Sequence, residues 1–319
     1  MQRIAIVGSS GFYGRALIRE FRRSHPDSVI LGLDIVQPSE AERPDEFQKV
    51  DVRDSAVQST LENFGPDTIV HLAFVVDPIR DDGLMHDINV NGTKNVLEAV
   101  TTIQPARFLL SSSATAYGAW PDNPVPLPED SELRGRPEYR YSNDKVTVEK
   151  LLVELADGNP NIAVSWTRPA IIYEKGISNY LTRFISKGPI IVLPDRNDTE
   201  MQFVHADDVA NATRLILERN AIGPFNIGPD DWLTLSEMAT MSKRKTISVP
   251  MRVCIMFTKF WWGCRLPLYH FPHALWYYIR YPWVVQPKRL TDELGYTFKY
   301  SSRETLQQLF DDLRSKPSK

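Results

Sequence analysis

The chain opens Arg3-Ile4-Ala5-Ile6-Val7-Gly8-Ser9-Ser10-Gly11-Phe12-Tyr13-Gly14-Arg15-Ala16-Leu17-Ile18: a short apolar run, three glycines three residues apart, then an amphipathic pattern. This order predicts strand, tight turn and helix. Gly8 lets the chain turn off the strand, Gly11 lets backbone N–H groups approach a pyrophosphate, and Gly14 lets the helix pack closely on the sheet. The spacing is G-x-x-G-x-x-G rather than G-x-G-x-x-G. A second apolar run, residues 28 to 33, ends at Asp34, whose carboxylate can take both hydroxyls of an adenosine ribose. That charge would repel a 2'-phosphate, and neither Ile35 nor Val36 supplies a cation to receive one, so the reading favours NAD over NADP. A glycine turn alone could be only a tight turn. Set between a strand and a helix, with an acid ending the next strand, it reads as a nucleotide site.

Working outward, strands are expected near 3 to 8, 28 to 34, 47 to 51, 67 to 74, 106 to 112 and 162 to 168, alternating with helices. That alternation implies an α/β fold, a Rossmann-type doubly wound parallel sheet. Ligands then meet at the carboxyl ends of the strands, where Gly8, Asp34, Ala73 and Ser111 to Ser113 fall. The division expected is residues 1–174 as the NAD-binding part, with 202–230 returning to it, and 175–201 with 231–319 as a smaller, mostly helical substrate-binding lobe. A helix is expected near 177 to 187 and a strand over 189 to 193.

Tyr141 and Lys145, four residues apart, lie on one face of a helix. A cation ~4 Å from a phenol, at an effective dielectric of ~20, offers up to ~4 kcal/mol. This is worth ~3 pKa units, enough to bring a tyrosine that titrates near ~10 towards neutral pH. Such spacing also arises by chance as an aromatic beside a solvated lysine. Its weight comes from the nucleotide-site pattern upstream.

The glycine pattern, Asp51-Val52-Arg53-Asp54, His71-Leu72-Ala73, Asn89-Val90-Asn91-Gly92-Thr93, Ser111-Ser112-Ser113-Ala114-Thr115-Ala116-Tyr117-Gly118, Tyr141 to Lys145, Arg168-Pro169 and Phe203 to Ala210 occur in one order. Taken together, they resemble the extended short-chain dehydrogenases/reductases, in particular the NAD-dependent epimerase/dehydratase family. The resemblance implies Ser113, Tyr141 and Lys145 as the catalytic set. It implies NAD along Gly8, Ser10, Gly11, Phe12, Tyr13, Gly14, Asp34, Asp51, Val52, Leu72, Ala73, Phe74, Asn89, Ser111, Tyr141, Lys145 and Pro169, with Asp51 at the adenine and Lys145 also at the nicotinamide ribose. Helices near 81 to 104 and 138 to 157 resemble the family's dimer-forming pair, implying a homodimer.

Family dehydratases and decarboxylases carry acids where Ala114 and Thr115 stand, so elimination and decarboxylation are disfavoured. Epimerisation of a nucleotide sugar is the first reading. The alternative is a dehydrogenase or reductase of a lipophilic hydroxy or keto substrate, as in the hydroxysteroid dehydrogenase branch; a non-catalytic NAD-binding sensor is a third. Against the first, the family's Asn-x-Tyr-Gly-Pro is replaced by Ile171-Ile172-Tyr173-Glu174-Lys175. Candidate diphosphate anchors are Arg168, Arg183, Lys187, Arg252 and Lys288, although Arg168 also reads as securing a loop. For a lipophilic substrate the candidates are Trp261, Trp262 and Trp276.

At 319 residues, with 42% hydrophobic and 24% charged, the chain can bury a large core. A net charge of -3 carries no nucleic-acid footprint. Cys254 and Cys264 build neither a disulfide framework nor a zinc site, so no metal is expected and a reducing cytoplasm is the simple location. Neither a signal-peptide core nor a membrane-spanning run stands out. Residues 251 to 285 are dense in aromatics interleaved with Arg, Lys and His. They read as buried faces packing on the main body, or as a lipophilic pocket or a surface resting on a membrane. Asp207 or Asp208 is expected to cap the helix after His205, and Ser302 to cap the last helix.

Overall fold

The computed structural model describes residues 1–177, 190–264 and 272–315. Six strands come first: β1 (Arg3–Val7), β2 (Val29–Asp34), β3 (Glu46–Lys49), β4 (Thr68–His71), β5 (Arg107–Ser111) and β6 (Ala163–Pro169). They pair in parallel in the order β3-β2-β1-β4-β5-β6. The sequence reading placed all six. β4 is shorter than expected because the last sheet bond on this side runs from Leu72 N to Val7 O, after which Asn89 accepts the N–H of Val75 and draws the chain aside.

Period-two burial explains the two layers of helices. Ile4 and Ile6 of β1 join one apolar cluster with Leu17, Ile18 and Phe21 of α1 (Phe12–Ser24). Ala5 and Val7 point the other way, with Val57 and Leu61 of α2 (Ala56–Phe64). α3 (Asp82–His86) continues through a π-turn at Asp87–Asn91 into α4 (Gly92–Ile103), and α5 (Arg140–Gly158) precedes β6. Val96 and Val100 of α4 and Val148 and Leu152 of α5 complete that second cluster.

Beyond β6 the chain forms β7 (Ile171–Tyr173), β8 (Ile190–Pro194), β9 (Glu200–Met201), β10 (Phe203–His205), α6 (Ala206–Glu218) and β11 (Gly223–Ile227). β10 pairs with β7, and β11 extends the main sheet beside β6, making seven strands. β12 (Leu233–Thr234), α7 (Leu235–Met241), β13 (Lys245–Val249), α8 (Met251–Gly263), α9 (Leu275–Arg280) and α10 (Ser302–Ser315) follow. β13 pairs with β8 and β12 with β9. The helix expected near 177 to 187 lies almost wholly outside the described residues.

Two caps differ from expectation. His205 itself caps α6, its Nδ1 accepting the N–H of Asp207 at 3.1 Å, while Asp208 binds the Tyr296 hydroxyl and the N–H groups of Lys299 and Tyr300. At α10 the cap is Ser301, in a reciprocal bond pair with Glu304. Ser302 is buried and spans Phe203 O and Asp231 O. A hydroxyl held by two distant carbonyls serves tertiary contact, which local spacing does not reveal.

Candidate active site

The glycine turn is set by close approach. Gly8 has φ +91°, and a Cβ there would stand 2.5 Å from Ala73 N; one on Gly14 would stand 2.5 Å from Gly8 O. Gly11 differs, because its Cβ would meet only Gly8 O, at 3.5 Å. Its bare face opens on a cleft, and as the residue capping α1 it brings no side-chain hydrogen bond to the helix N-terminus. That end of α1 has no acid in its first turn, so its amide N–H groups and helix dipole suit an anion. Asp34 ends β2, its two oxygens accepting the N–H groups of Ser10 and Val36 at 2.9 Å each. A carboxylate has about four lone-pair sites, so acceptor capacity remains for ribose hydroxyls.

The cleft holds about 950 Å³ of empty space, open to solvent. Of the residues expected at cofactor or chemistry, Gly8, Gly11, Phe12, Tyr13, Gly14, Leu72, Phe74, Ser111, Ser113, Tyr141, Lys145 and Pro169 line it. Ser10, Asp34, Asp51, Val52 and Ala73 stand off this wall at the strand ends. Asp51 there pairs with Arg53 at 2.7 Å, which holds its carboxyl below the usual range. Asn89 is wholly buried and does not face the cleft; its amide holds Val75 and Asp144, so it shapes the wall from behind.

Tyr141, Lys145 and Glu149 follow at four-residue steps along α5, on one face. Tyr141 is buried, edge-on to Phe74 with ring centres 5.7 Å apart. Lys145 Nζ donates to Ser111 O at 2.5 Å and lies 3.4 Å from the centre of the Phe74 ring. Burial lowers its pKa to about 7, against the opposing pull of Glu149 and Asp144. Glu149 accepts from Ser112 Oγ, Trp166 Nε1 and the Arg168 guanidinium. The sequence reading missed Glu149, though its position one turn past Lys145 was the available signal.

Among the three serines the structure separates roles. Ser112 Oγ is spent on Glu149 at 2.5 Å, and Ser111 Oγ donates to the carbonyl of Ser112. Ser113 Oγ accepts from both Thr115 N, at 3.2 Å, and Thr115 Oγ1, at 2.9 Å. With both lone pairs engaged, its own proton remains for a further acceptor, and Ser113 lines the cleft. Val76 and Ala170 also line the cleft and were missed; so do Thr115, Ile171 and Ile172, read from the sequence as positions bearing on reaction and substrate, and Trp283, from the aromatic stretch for which a lipophilic pocket was one reading.

Arg168, a candidate phosphate anchor, does not serve as one. It is buried, paired with Glu149 at 2.6 Å, and donates to Tyr117 Oη and Glu129 O. Arg252 and Lys288 are exposed and do not line the cleft. Arg183 and Lys187 lie outside the described residues. Trp276 is buried in the core and Trp261 half-buried on α8, neither facing the cleft, and the Trp262 side chain lies outside what is described. No group of three or more His, Cys, Asp or Glu able to hold a metal occurs among the described residues.

The sequence model of the NAD dependent epimerase/dehydratase family matches residues 4–228, the span that carries the turn, the serines, α5 and β11. The chain belongs to this family. Its cofactor is NAD. An uncharacterized protein of Mycobacterium tuberculosis is 25% identical, covering 96% of this chain and 83% of that one. A UDP-glucuronic acid decarboxylase of Arabidopsis thaliana is 25% identical over 74% of this chain and 56% of its own length. Among solved structures, UDP-glucose 4-epimerase of Thermotoga maritima with UDP-glucose superposes with a TM-score of 0.77 at 17% identity, covering 98% and 99% of the two chains. That likeness shows a shared fold.

Proposed function

We propose that the protein interconverts a secondary alcohol and a ketone through Ser113, Tyr141 and Lys145, and that its net reaction is epimerisation of a nucleotide sugar. The observation that carries this reading is that Ser113, Tyr141 and Lys145 line one cleft while Thr115 engages Ser113 Oγ as an acceptor, which leaves the serine proton for a bound oxygen. When bound, NAD supplies the hydride acceptor and donor. Tyr141 takes the hydroxyl proton and returns it, Ser113 holds the reacting oxygen, and the Lys145 ammonium stabilises the phenolate and holds the ribose. The cofactor site fits: Gly11 leaves a cradle that a side chain would fill, and Asp34 keeps acceptor capacity for a ribose without a 2'-phosphate. Ala114 and Thr115 bring no acid, and Thr115 Oγ1 is spent on Ser113, which supports redox chemistry without elimination.

A second reading, a dehydrogenase of a lipophilic hydroxy or keto substrate, draws on the wall beyond the catalytic set. Phe74, Val76, Ile171, Ile172 and Trp283 make that wall apolar, and Arg168 is consumed by Glu149. Calorimetric titration of the NAD-bound protein with nucleotide sugars and with apolar ketones separates the two. An epimerase keeps NAD through turnover and releases no NADH. Tyr141→Phe should abolish turnover with NAD affinity nearly intact, while Lys145→Ala should harm both. Saturable binding of an apolar ketone, with no heat from any nucleotide sugar, replaces the first reading by the second. Retention of most activity by Tyr141→Phe would overturn the proposed chemistry.

A further inference from the structure

The structure divides the aromatic-rich stretch 251 to 285 into two fates. Its later part is core: Trp276, Tyr278, Ile279 and Trp283 are buried, Tyr278 Oη donates to Thr115 O, and Trp283 stands edge-on to Tyr278. Its earlier part, α8, is amphipathic in the opposite sense from a surface helix. Met251, Cys254 and Thr258 face inward, whereas Val253, Met256, Phe257 and Phe260 are 45%, 66%, 52% and 65% exposed. These four recur at steps of three, one and three residues, so they form one apolar stripe facing solvent. Scattered exposed apolar residues are ordinary, but a contiguous stripe carrying two phenylalanines marks a contact surface.

Charge identifies what meets it. Between residues 238 and 291 the chain has nine Lys and Arg and no Asp or Glu, although the whole protein carries -3. Arg252 and Lys259 lie along one edge of the stripe on α8 and are exposed, as are Lys243, just before β13, and Lys245 at its start. Among the described residues, Asp195 is an acid brought to this helix from elsewhere: its Oδ1 accepts Met251 N at the helix start, its Oδ2 pairs with Arg280 at 3.4 Å, and Arg252 also acts on its charge. A cationic margin beside exposed aromatic and aliphatic side chains complements an anionic lipid surface, where rings enter the interface and Lys or Arg stay at headgroup level. α8 has 13 residues, too few to span a bilayer, and no helix of the described residues is long and apolar enough to do so.

We infer that α8 docks the protein peripherally on an anionic phospholipid bilayer, with Val253, Met256, Phe257 and Phe260 entering the interface and Arg252 and Lys259 contacting headgroups. This does not depend on the redox reading. The test is sedimentation of the full chain with vesicles of phosphatidylcholine alone and of equal parts phosphatidylcholine and phosphatidylglycerol. Binding should be confined to the anionic vesicles and weaken as salt rises. The double variant Phe257→Glu/Phe260→Glu should lower partitioning by more than about tenfold. Arg252→Gln and Lys259→Gln should each lower it about fivefold. NAD affinity should be unchanged in every variant, which shows that each is folded. Equal binding to both vesicle types, no binding to either, or a dimer in solution that these substitutions dissociate would overturn the inference.

Discussion

At Lys145, burial and charge oppose each other. The sequence alone treats it as a permanent cation that lowers the phenol of Tyr141, but with no solvent around it the ammonium titrates near 7. Its charge therefore depends on the anions near it: Glu149 and Asp144 favour the ammonium, and under the proposed chemistry a Tyr141 phenolate would do the same. His71 shows the same physics without a counter-charge. It is buried at the end of β4, and its Nε2 lies 3.0 Å from Thr93 Oγ1, whose own proton goes to Asn89 O. Burial, aided by Lys145, lowers its pKa from 6.5 to about 3. Between those values the unfolded state binds the proton and the folded state does not. The contribution of His71 to stability is therefore complete above pH 6.5 and is lost as pH falls towards about 3. His71→Gln should flatten the acid limb of stability against pH, measured by urea midpoints from neutral pH down to about 4. An acid limb as steep as in the unmodified protein would contradict this.

At the scale of the element, the three glycines of the first turn carry different loads. Gly8 combines a positive φ with a 2.5 Å approach to Ala73, and Gly14 is pressed against the carbonyls of Gly8 and Ser9. Gly8→Ala and Gly14→Ala should each cost at least about 2 kcal/mol of stability, through overpacking against backbone that cannot yield. Gly11→Ala meets only an ordinary contact, so it should leave the melting temperature nearly unchanged while weakening NAD binding, because its methyl would enter the cofactor's cradle. Thermal melting with NAD titration of the three variants checks this ordering. A Gly11→Ala protein that binds NAD normally would move the pyrophosphate away from this turn.

Across the whole molecule, Glu149 and Arg168 join parts far apart in sequence. The carboxylate on α5 holds Arg168 on β6, Trp166 and Ser112; Arg168 reaches Tyr117 and Glu129, and Tyr117 Oη donates to Asn226 on β11. Burial pushes the Tyr117 phenol up to about 12, so it stays a neutral link. Both ions of the pair are buried, and removing one leaves the other unpaired away from water. Glu149→Ala should destabilise the fold by ~3–5 kcal/mol, read from denaturant unfolding. A loss below ~1 kcal/mol would mean that water or another group replaces the carboxylate. This network also explains the failed expectation for Arg168: a cation near a ligand site looks available until its buried partner, 19 residues away, is seen.

Much of the site was legible in the chain because the governing relations are local. The glycine turn, the acid after β2 and the four-residue step from Tyr141 to Lys145 follow from helix and strand periods, and the six strands follow from apolar runs between turns. Choosing Ser113 over its two neighbours needed the resemblance, and the hydrogen bonds of Thr115 then left that serine's proton for a further acceptor. Tertiary structure decided the rest, since desolvation and pairing depend on residues distant in sequence. It reduced Lys145 to a conditional cation, withdrew Arg168 from substrate, moved the cap of α10 from Ser302 to Ser301, and separated buried Trp276 from exposed Phe257 and Phe260. Composition alone left the alternatives for these aromatics open, because it records what a side chain is and not which neighbours exclude water from it.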